Sequence, residues 1–270
     1  VRVLHLAPHP DDELVGAPAA LLSLHDAGHR VDNLALGLGR AADHARRAAE
    51  VREACRRAGL GLRVADPPVA MSGGDDLAAA EARVREELRR ELDGPDPPAL
   101  VVGPCHHDVH PAHELVGRAV RDVLAARDAP PPWWMWAVWG ALPAPTVVVP
   151  YDAAMEARIA AALAAHAGEM RRTDHVAALA ARGRRTAILA AELALGFGSG
   201  AAPPGSRAEV VTELIRANGR WYLGLPRLLD PAAPLGPPSR RGAGRWLAAP
   251  GAGALLDPRG PVSPGWSAPS

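Results

Sequence analysis

Two short stretches hold the side chains best suited to chemistry. Pro8-His9-Pro10-Asp11-Asp12-Glu13 sets one imidazole beside three consecutive carboxylates. His106–His113 gathers four of the chain's eleven histidines: His106, His107, His110 and His113. Adjacent carboxylates repel one another unless positive charge sits among them, and a divalent metal is a natural source. His9 and Asp12 offer a nitrogen and an oxygen donor three residues apart, a bite suited to one ion, and the second cluster can add an imidazole. Two histidines and a carboxylate leave a coordination position open, as catalytic metal sites require. Zinc, Fe(II) or another transition metal suits these donors; an ion that prefers all-oxygen ligands does not. Asp12 and Glu13 alone could equally complement a helix dipole. His9 and the second histidine cluster weigh against so plain a role.

Positioning these stretches falls to short apolar runs that alternate with longer amphipathic ones. Val1–Ala7, Val31–Leu38, Leu60–Ala65 and Leu100–Val102 read as strands. Asp12–Ala27, Ala41–Ala58, Leu77–Leu92 and His113–Ala126 read as helices, with Pro18 restricted to an early turn and Gly28 and Gly59 as stops. This alternation predicts an α/β, Rossmann-like three-layer fold with a mostly parallel sheet. Ligands in such folds bind at the carboxyl ends of the strands, which sets the segments after Ala7 and Val102 side by side. Thr146–Val149 is strand-like, and Trp133, Trp134, Trp136 and Trp139 suggest a strand or a pocket wall. Ala153–Gly196 reads as mostly helical, broken near Gly168 or Gly183. From Pro231 to Ser270 there are nine Pro and seven Gly, too many for sustained regular structure, so a helical and irregular C-terminal portion is expected to end in a tail.

His-Pro-Asp-Asp-Glu after a first strand resembles the signature of the PIG-L/LmbE-like zinc-dependent N-deacetylases. The likeness continues through Gly16, Gly28 and Val31, then Arg47, Glu50 and Gly59, then His110-Pro111-Ala112-His113, and on to Trp139-Gly140, Val147–Val149 and Ala161–His166. It covers about residues 1–225, so the domain is placed at 1–230 and the tail at 231–270. The resemblance implies one zinc per chain held by His9, Asp12 and His113, with other divalent transition metals as alternatives. It implies Asp11 as the general base, and His110 as the group facing the substrate carbonyl. It implies Arg47, and by a looser alignment Asp75, as substrate-binding residues. The implied substrate is a small-molecule amino sugar carrying an N-acyl group. An amidase acting on a thiol conjugate and a zinc-containing saccharide-binding protein are the rival readings. Ala112 stands where the family usually has Asp, removing the expected partner of His110; Asp108 and Asp174 are the candidate replacements.

The remaining features exclude more than they propose. Thirty arginines balance thirty acids and there is no Lys, which argues against a nucleic-acid arm or a basic membrane face. No apolar run reaches the ~18 residues of a membrane span. Val1–Ala7 runs directly into His9 and the acids and reads as a strand, not a targeting segment. Two cysteines, Cys55 and Cys105, fit a reducing cytoplasm, with Cys105 a buried small residue and not a ligand. His106 and His107 are expected to line the site mouth, His5 to lie in the core, and His166 to be a partly buried, hydrogen-bonded residue. Gly37-Leu38-Gly39 follows the second strand and lacks a third glycine at the right spacing, so no dinucleotide cofactor is expected. Nothing in the sequence fixes oligomeric state; a homo-oligomer stays open.

Overall fold

The computed structural model describes residues 1–72, 74–196, 198, 205–235 and 247–250. Five strands, β1 (Arg2–Ala7), β2 (Arg30–Ala35), β3 (Gly61–Val64), β4 (Leu100–Pro104) and β5 (Trp133–Trp136), pair in parallel in the order β3-β2-β1-β4-β5. They are linked by α1 (Asp12–Val15), α2 (Pro18–Asp26), α3 (His44–Ala58), α4 (Leu77–Asp93) and α5 (Pro111–Ala125). This is the expected three-layer α/β arrangement. Successive strand residues point to opposite faces, and both faces are covered. Val3, Trp134 and Trp136 join one apolar cluster with Leu21, Val51 and Leu163. Leu4, Leu6 and Trp133 join the other, with Leu88, Leu115 and Val120. β1 pairs with β4 through Val3–Leu100, Leu4–Val101 and His5–Val102, so the loops that follow both strands emerge side by side. That is the switch point of the sheet.

The helix expected over Asp12–Ala27 is two helices. Pro18 begins α2, where its missing N–H costs nothing. Gly16 sits at the break because a Cβ there would lie 2.7 Å from the Trp136 ring. The result is a single helical turn, α1, that carries Asp12 and Glu13 and whose last carbonyls have no partner within the helix. Ala41–Asp43 forms a 3₁₀ turn before α3, so the α-helix proper starts three residues later than expected.

The second half holds β6 (Val147–Tyr151), α6 (Ala153–Leu163), α7 (Ala167–Met170) and α8 (His175–Ala190), the last running into a π turn over Ala191–Leu195. Asp152 and Asp174 cap α6 and α8, accepting from Met155 N and Ala177 N at 2.8 and 2.9 Å. The helical stretch breaks on both sides of Gly168. Gly183 is no breaker: it lies inside α8, where a Cβ would run into the Tyr151 hydroxyl.

β7 (Arg207–Ala217) and β8 (Arg220–Gly224) form an antiparallel hairpin absent from the sequence-based expectation. The first half of β7 pairs with β6 and its middle with β5, which extends the parallel sheet with antiparallel strands. β9 (Arg227–Leu228) runs parallel to β6. The segment after 230 begins against the body: Leu235 is buried and His29 Nε2 lies 2.9 Å from the Pro231 carbonyl. β10 (Leu247–Pro250) pairs antiparallel with β8. The rest of the expected Pro/Gly-rich tail lies outside the described residues. Among the described residues no helix is long and apolar enough to cross a membrane.

Candidate active site

The β1–α1 loop and the β4–α5 loop meet at the bottom of a cleft of about 910 Å³. Asp12 is the hub. Its Oδ2 lies 3.3 Å from His9 Nδ1, and its Oδ1 lies 3.3 Å from His113 Nε2. The His9 backbone N–H also donates to Asp12 Oδ2 at 2.8 Å, which closes the loop on itself. His110 joins them: the donor nitrogens of His9, His110 and His113 lie within 4.8 Å of one another. Four of the expected site residues are therefore brought to one point.

Asp108 decides how His113 is presented. Its Oδ2 lies 2.5 Å from His113 Nδ1, while its Oδ1 accepts the backbone N–H groups of Val138, Trp139 and Gly140 at 2.8, 2.9 and 2.9 Å. Both residues are buried. A fully bonded carboxylate of this kind keeps a proton on Nδ1 and leaves Nε2 as the nitrogen that a metal would take, the usual support of a metal-ligating histidine. Although its ring is desolvated, Asp12 and Asp108 hold His113 up at about 10. Asp12, despite its burial, is held well below the ordinary carboxylate range by His113 and His9.

Asp11 occupies the floor beside Asp12 with φ of 120°, a strained conformation for a residue with a Cβ. Burial, then the neighbouring Asp12 and Glu13, push its carboxyl well above the usual range. Its Oδ2 lies 3.9 Å from His175 Nε2. The backbone holding it there rests on Glu13, whose Oε2 accepts the Asp11 N–H at 3.1 Å and whose Oε1 lies 2.7 Å from His166 Nε2. Glu13 and His166 are fully buried. His166 is thus hydrogen-bonded, as expected, but more deeply buried than expected.

Neither candidate replacement for the carboxylate lost at Ala112 serves His110. Asp108 is committed to His113, and Asp174 caps α8. Ala112 packs into the apolar cluster beneath α5. The buried Nδ1 of His110 has no hydrogen-bond partner among the described residues. Burial, with His9 and His113 alongside, pushes His110 down to about 4.

Arg47 lines the cleft, 9% exposed, with Nη2 3.2 Å from Glu169 Oε1 and 3.4 Å from the Pro10 carbonyl. Asp75 does not reach the cleft. It lies in an exposed turn and accepts the Ser72 N–H at 2.6 Å; Ser72, its turn partner, is the residue that lines the wall. His106 and His107 also lie outside the lining: His106 is buried, its ring 6.1 Å from that of Trp133. Cys105 is buried, and desolvation pushes its thiol up to about 12, too high for a ready thiolate ligand. Trp139 stands 54% exposed on the cleft wall, whereas Trp133, Trp134 and Trp136 form β5 and are buried.

Arg182 is a structural partner that sequence spacing did not reveal. Its Nη2 donates to the carbonyls of Val15 at 2.7 Å and Gly16 at 3.0 Å, the free end of α1. Its Nη1 donates to the Ala137 carbonyl at 3.4 Å, next to the amides that hold Asp108. One guanidinium thus ties together the two segments on which the cluster depends.

Comparison with known proteins agrees with this geometry. The family described as GlcNAc-PI de-N-acetylase (PIG-L) matches residues 4–124. No curated protein matches the chain. Among solved structures, the zinc-inhibited form of teicoplanin deacetylase Orf2 is 17% identical, covering 81% of this chain and 99% of that one, with a TM-score of 0.60. The N,N'-diacetylchitobiose deacetylase of Pyrococcus horikoshii is 17% identical, covering 78% and 83%, with a TM-score of 0.54. GalB, the 4-carboxy-2-hydroxymuconate hydratase of Pseudomonas putida KT2440, is 16% identical, covering 80% and 96%, with a TM-score of 0.56. At these identities the likeness is one of fold, and the fold carries more than one chemistry.

Proposed function

From the match of residues 4–124 to the PIG-L, GlcNAc-PI de-N-acetylase family, we propose that the protein is a zinc-dependent hydrolase of amides. It removes an acetyl or other acyl group from the nitrogen of a GlcNAc-containing small molecule or glycoconjugate. The observation that carries this reading is the convergence of His9, Asp12 and His113 on one point beside a buried Asp11. His113, with Nδ1 committed to Asp108, offers Nε2; His9 and Asp12 complete a nitrogen and oxygen donor set that fits one zinc. A zinc ion bound there supplies Lewis acidity toward an amide carbonyl and toward water.

The chain's own groups do the rest. Asp11, at the cleft floor, takes the proton of the attacking water on its carboxylate; a carboxyl raised above its ordinary range is the better base for that step. The same group returns a proton to the leaving amine nitrogen. His110 faces the carbonyl oxygen and donates an N–H to it as charge develops. Arg47, anchored by Glu169, contacts the polar head of the substrate.

Asp11→Asn tests this division of labour. Acetate release from metal-loaded protein should fall by at least ~100-fold, the scale of general-base catalysis, with zinc content unchanged. A near-normal rate would mean that the base lies elsewhere. The unpartnered Nδ1 of His110 favours one rival, a zinc-containing saccharide-binding protein; that reading requires zinc and saccharide affinity in the wild type with no release at all. An amidase of thiol conjugates would turn over such conjugates and leave N-acetyl groups in place.

A further inference from the structure

Each of the two junctions at the cleft floor supplies a pair of donors three residues apart: His9 and Asp12 from one, His110 and His113 from the other. Three residues is close to one helical turn, so both members of a pair share a face. The proposed zinc set uses three of these four side chains. His110 is the imidazole left over, and no protein group engages its buried nitrogen among the described residues.

Its backbone is fixed. His110 is the N-cap of α5: its carbonyl accepts the Glu114 N–H at 3.0 Å, and Glu114 Oε1 accepts the Val109 N–H at 3.2 Å. An N-cap side chain ordinarily accepts a bond from the first turn, but His110 makes no such bond. Its ring turns to the cluster instead, edge-on to His9 with centres 4.9 Å apart, and 4.8 Å from the centre of His113. Ala112 offers it no carboxylate, and Asp108 and Asp174 are engaged elsewhere. A buried nitrogen left unbonded in this way is costly, and a cation at the cluster relieves it.

The spacing fits. Ligands about 2.0–2.1 Å from a tetrahedral zinc stand about 3.3 Å from one another. Asp12 Oδ2 to His9 Nδ1 and Asp12 Oδ1 to His113 Nε2 are each 3.3 Å already. The three imidazole donors lie within 4.8 Å of one another, so His110 completes the set with a shift of about 1.5 Å.

We propose that His110 is a fourth ligand of the resting zinc site, so that three imidazoles and Asp12 close it until substrate arrives. The proposal rests on the zinc-hydrolase reading above and adds a guarded resting state to it. Four protein ligands are the mark of structural zinc sites, and an open position that of catalytic ones; His110 lets one site alternate between the two. A substrate carbonyl that takes the fourth place displaces His110, whose ring then stands beside the carbonyl oxygen, where an N–H donor is needed.

The test is X-ray absorption spectroscopy of the zinc-loaded full chain beside His110→Gln, with zinc affinity from chelator competition. Gln keeps a hydrogen-bond donor but no imidazole. The wild type should show outer-shell scattering from three imidazole rings per zinc, and His110→Gln from two. Zinc affinity should fall in the variant by about 100-fold, at or beyond the upper end of the ~10–100-fold lost with an outer hydrogen-bond partner; the ring count separates ligation from such an outer contact. Saturating acetate, an oxygen donor in place of the carbonyl, should lower the wild-type count to two. Two rings in the substrate-free wild type, or unchanged zinc affinity in a folded His110→Gln protein, would overturn the fourth ligand and leave the hydrolase reading standing. A third ring that persists under acetate would overturn the exchange. A wild type that takes up no zinc would overturn both readings.

Discussion

Replacing Asp108 by Asn separates tautomer control from simple packing, because the two side chains have the same shape. Asn can keep its oxygen toward the amides of Val138, Trp139 and Gly140, where Asp108 Oδ1 now accepts at 2.8, 2.9 and 2.9 Å. An NH₂ group then replaces the oxygen that lies 2.5 Å from His113 Nδ1. Facing a donor, Nδ1 must become an acceptor, and the imidazole proton moves to Nε2. That nitrogen now lies 3.3 Å from Asp12 Oδ1 and is the one offered to the metal. Protonated, it has no lone pair to give. Loss of such an outer partner lowers metal affinity by about 10–100-fold, or roughly 1.4–2.7 kcal/mol. Three backbone hydrogen bonds also pass from charged to neutral, which destabilises the apo fold by about 1–3 kcal/mol. The assay is competition for zinc against a fluorescent chelator, with far-UV circular dichroism to verify folding. A folded Asp108→Asn protein that binds zinc within about twofold of the wild type would refute the assignment of Asp108 as the group that orients His113.

Two further predictions concern the support beneath the site. Glu209 is buried, accepting from Ala19 N at 3.2 Å and Ala20 N at 3.0 Å, and burial pushes it up to about 7 despite Arg182 nearby. A carboxyl raised in the folded state contributes stability that is complete below its unfolded pKa, near 4.5, and is lost as pH rises through 7. At ~1.4 kcal/mol per pH unit, urea unfolding of the wild type relative to Glu209→Gln should lose about 3 kcal/mol between pH 4.5 and 7.5; parallel curves would contradict this. Arg182→Met removes the charged donor to Val15, Gly16 and Ala137 and should destabilise by roughly 2–3 kcal/mol. It should also move the Glu209 transition to still higher pH, and a loss below about 0.5 kcal/mol would show that the carbonyls find other partners.

What the sequence makes legible here is local. His9, Asp11 and Asp12 sit at one loop–helix junction, His110 and His113 at another, and strand alternation is enough to set the two junctions together. The partners that make the cluster work are long-range. Asp108 binds amides 30 to 32 residues away, and Arg182 binds carbonyls 166 and 167 residues away, distances no spacing rule encodes. Asp108 invited assignment to His110, its nearer neighbour in the His-Pro-Ala-His motif, yet the turn of α5 delivers His113 instead. Asp75 is the opposite case: a loose alignment offers it as a substrate contact, and the local turn at Ser72 takes up one of its carboxylate oxygens. The β7–β8 hairpin was concealed by Glu209, Thr212 and Glu213, buried polar residues that interrupt the apolar alternation. Asn218-Gly219, with φ of 50° and 73°, is the tight-turn signal that marks it.

The central claim is that His9, Asp12 and His113 hold one catalytic zinc. The most direct measurement is elemental analysis of zinc-reconstituted, gel-filtered protein beside His9→Ala and His113→Ala, each paired with acetate release from N-acetylglucosamine compounds. The account predicts close to one zinc per chain in the wild type, with release abolished by chelation and restored by zinc, and loss of both in the two variants. A wild type without zinc, or variants that retain it in full, would contradict the account.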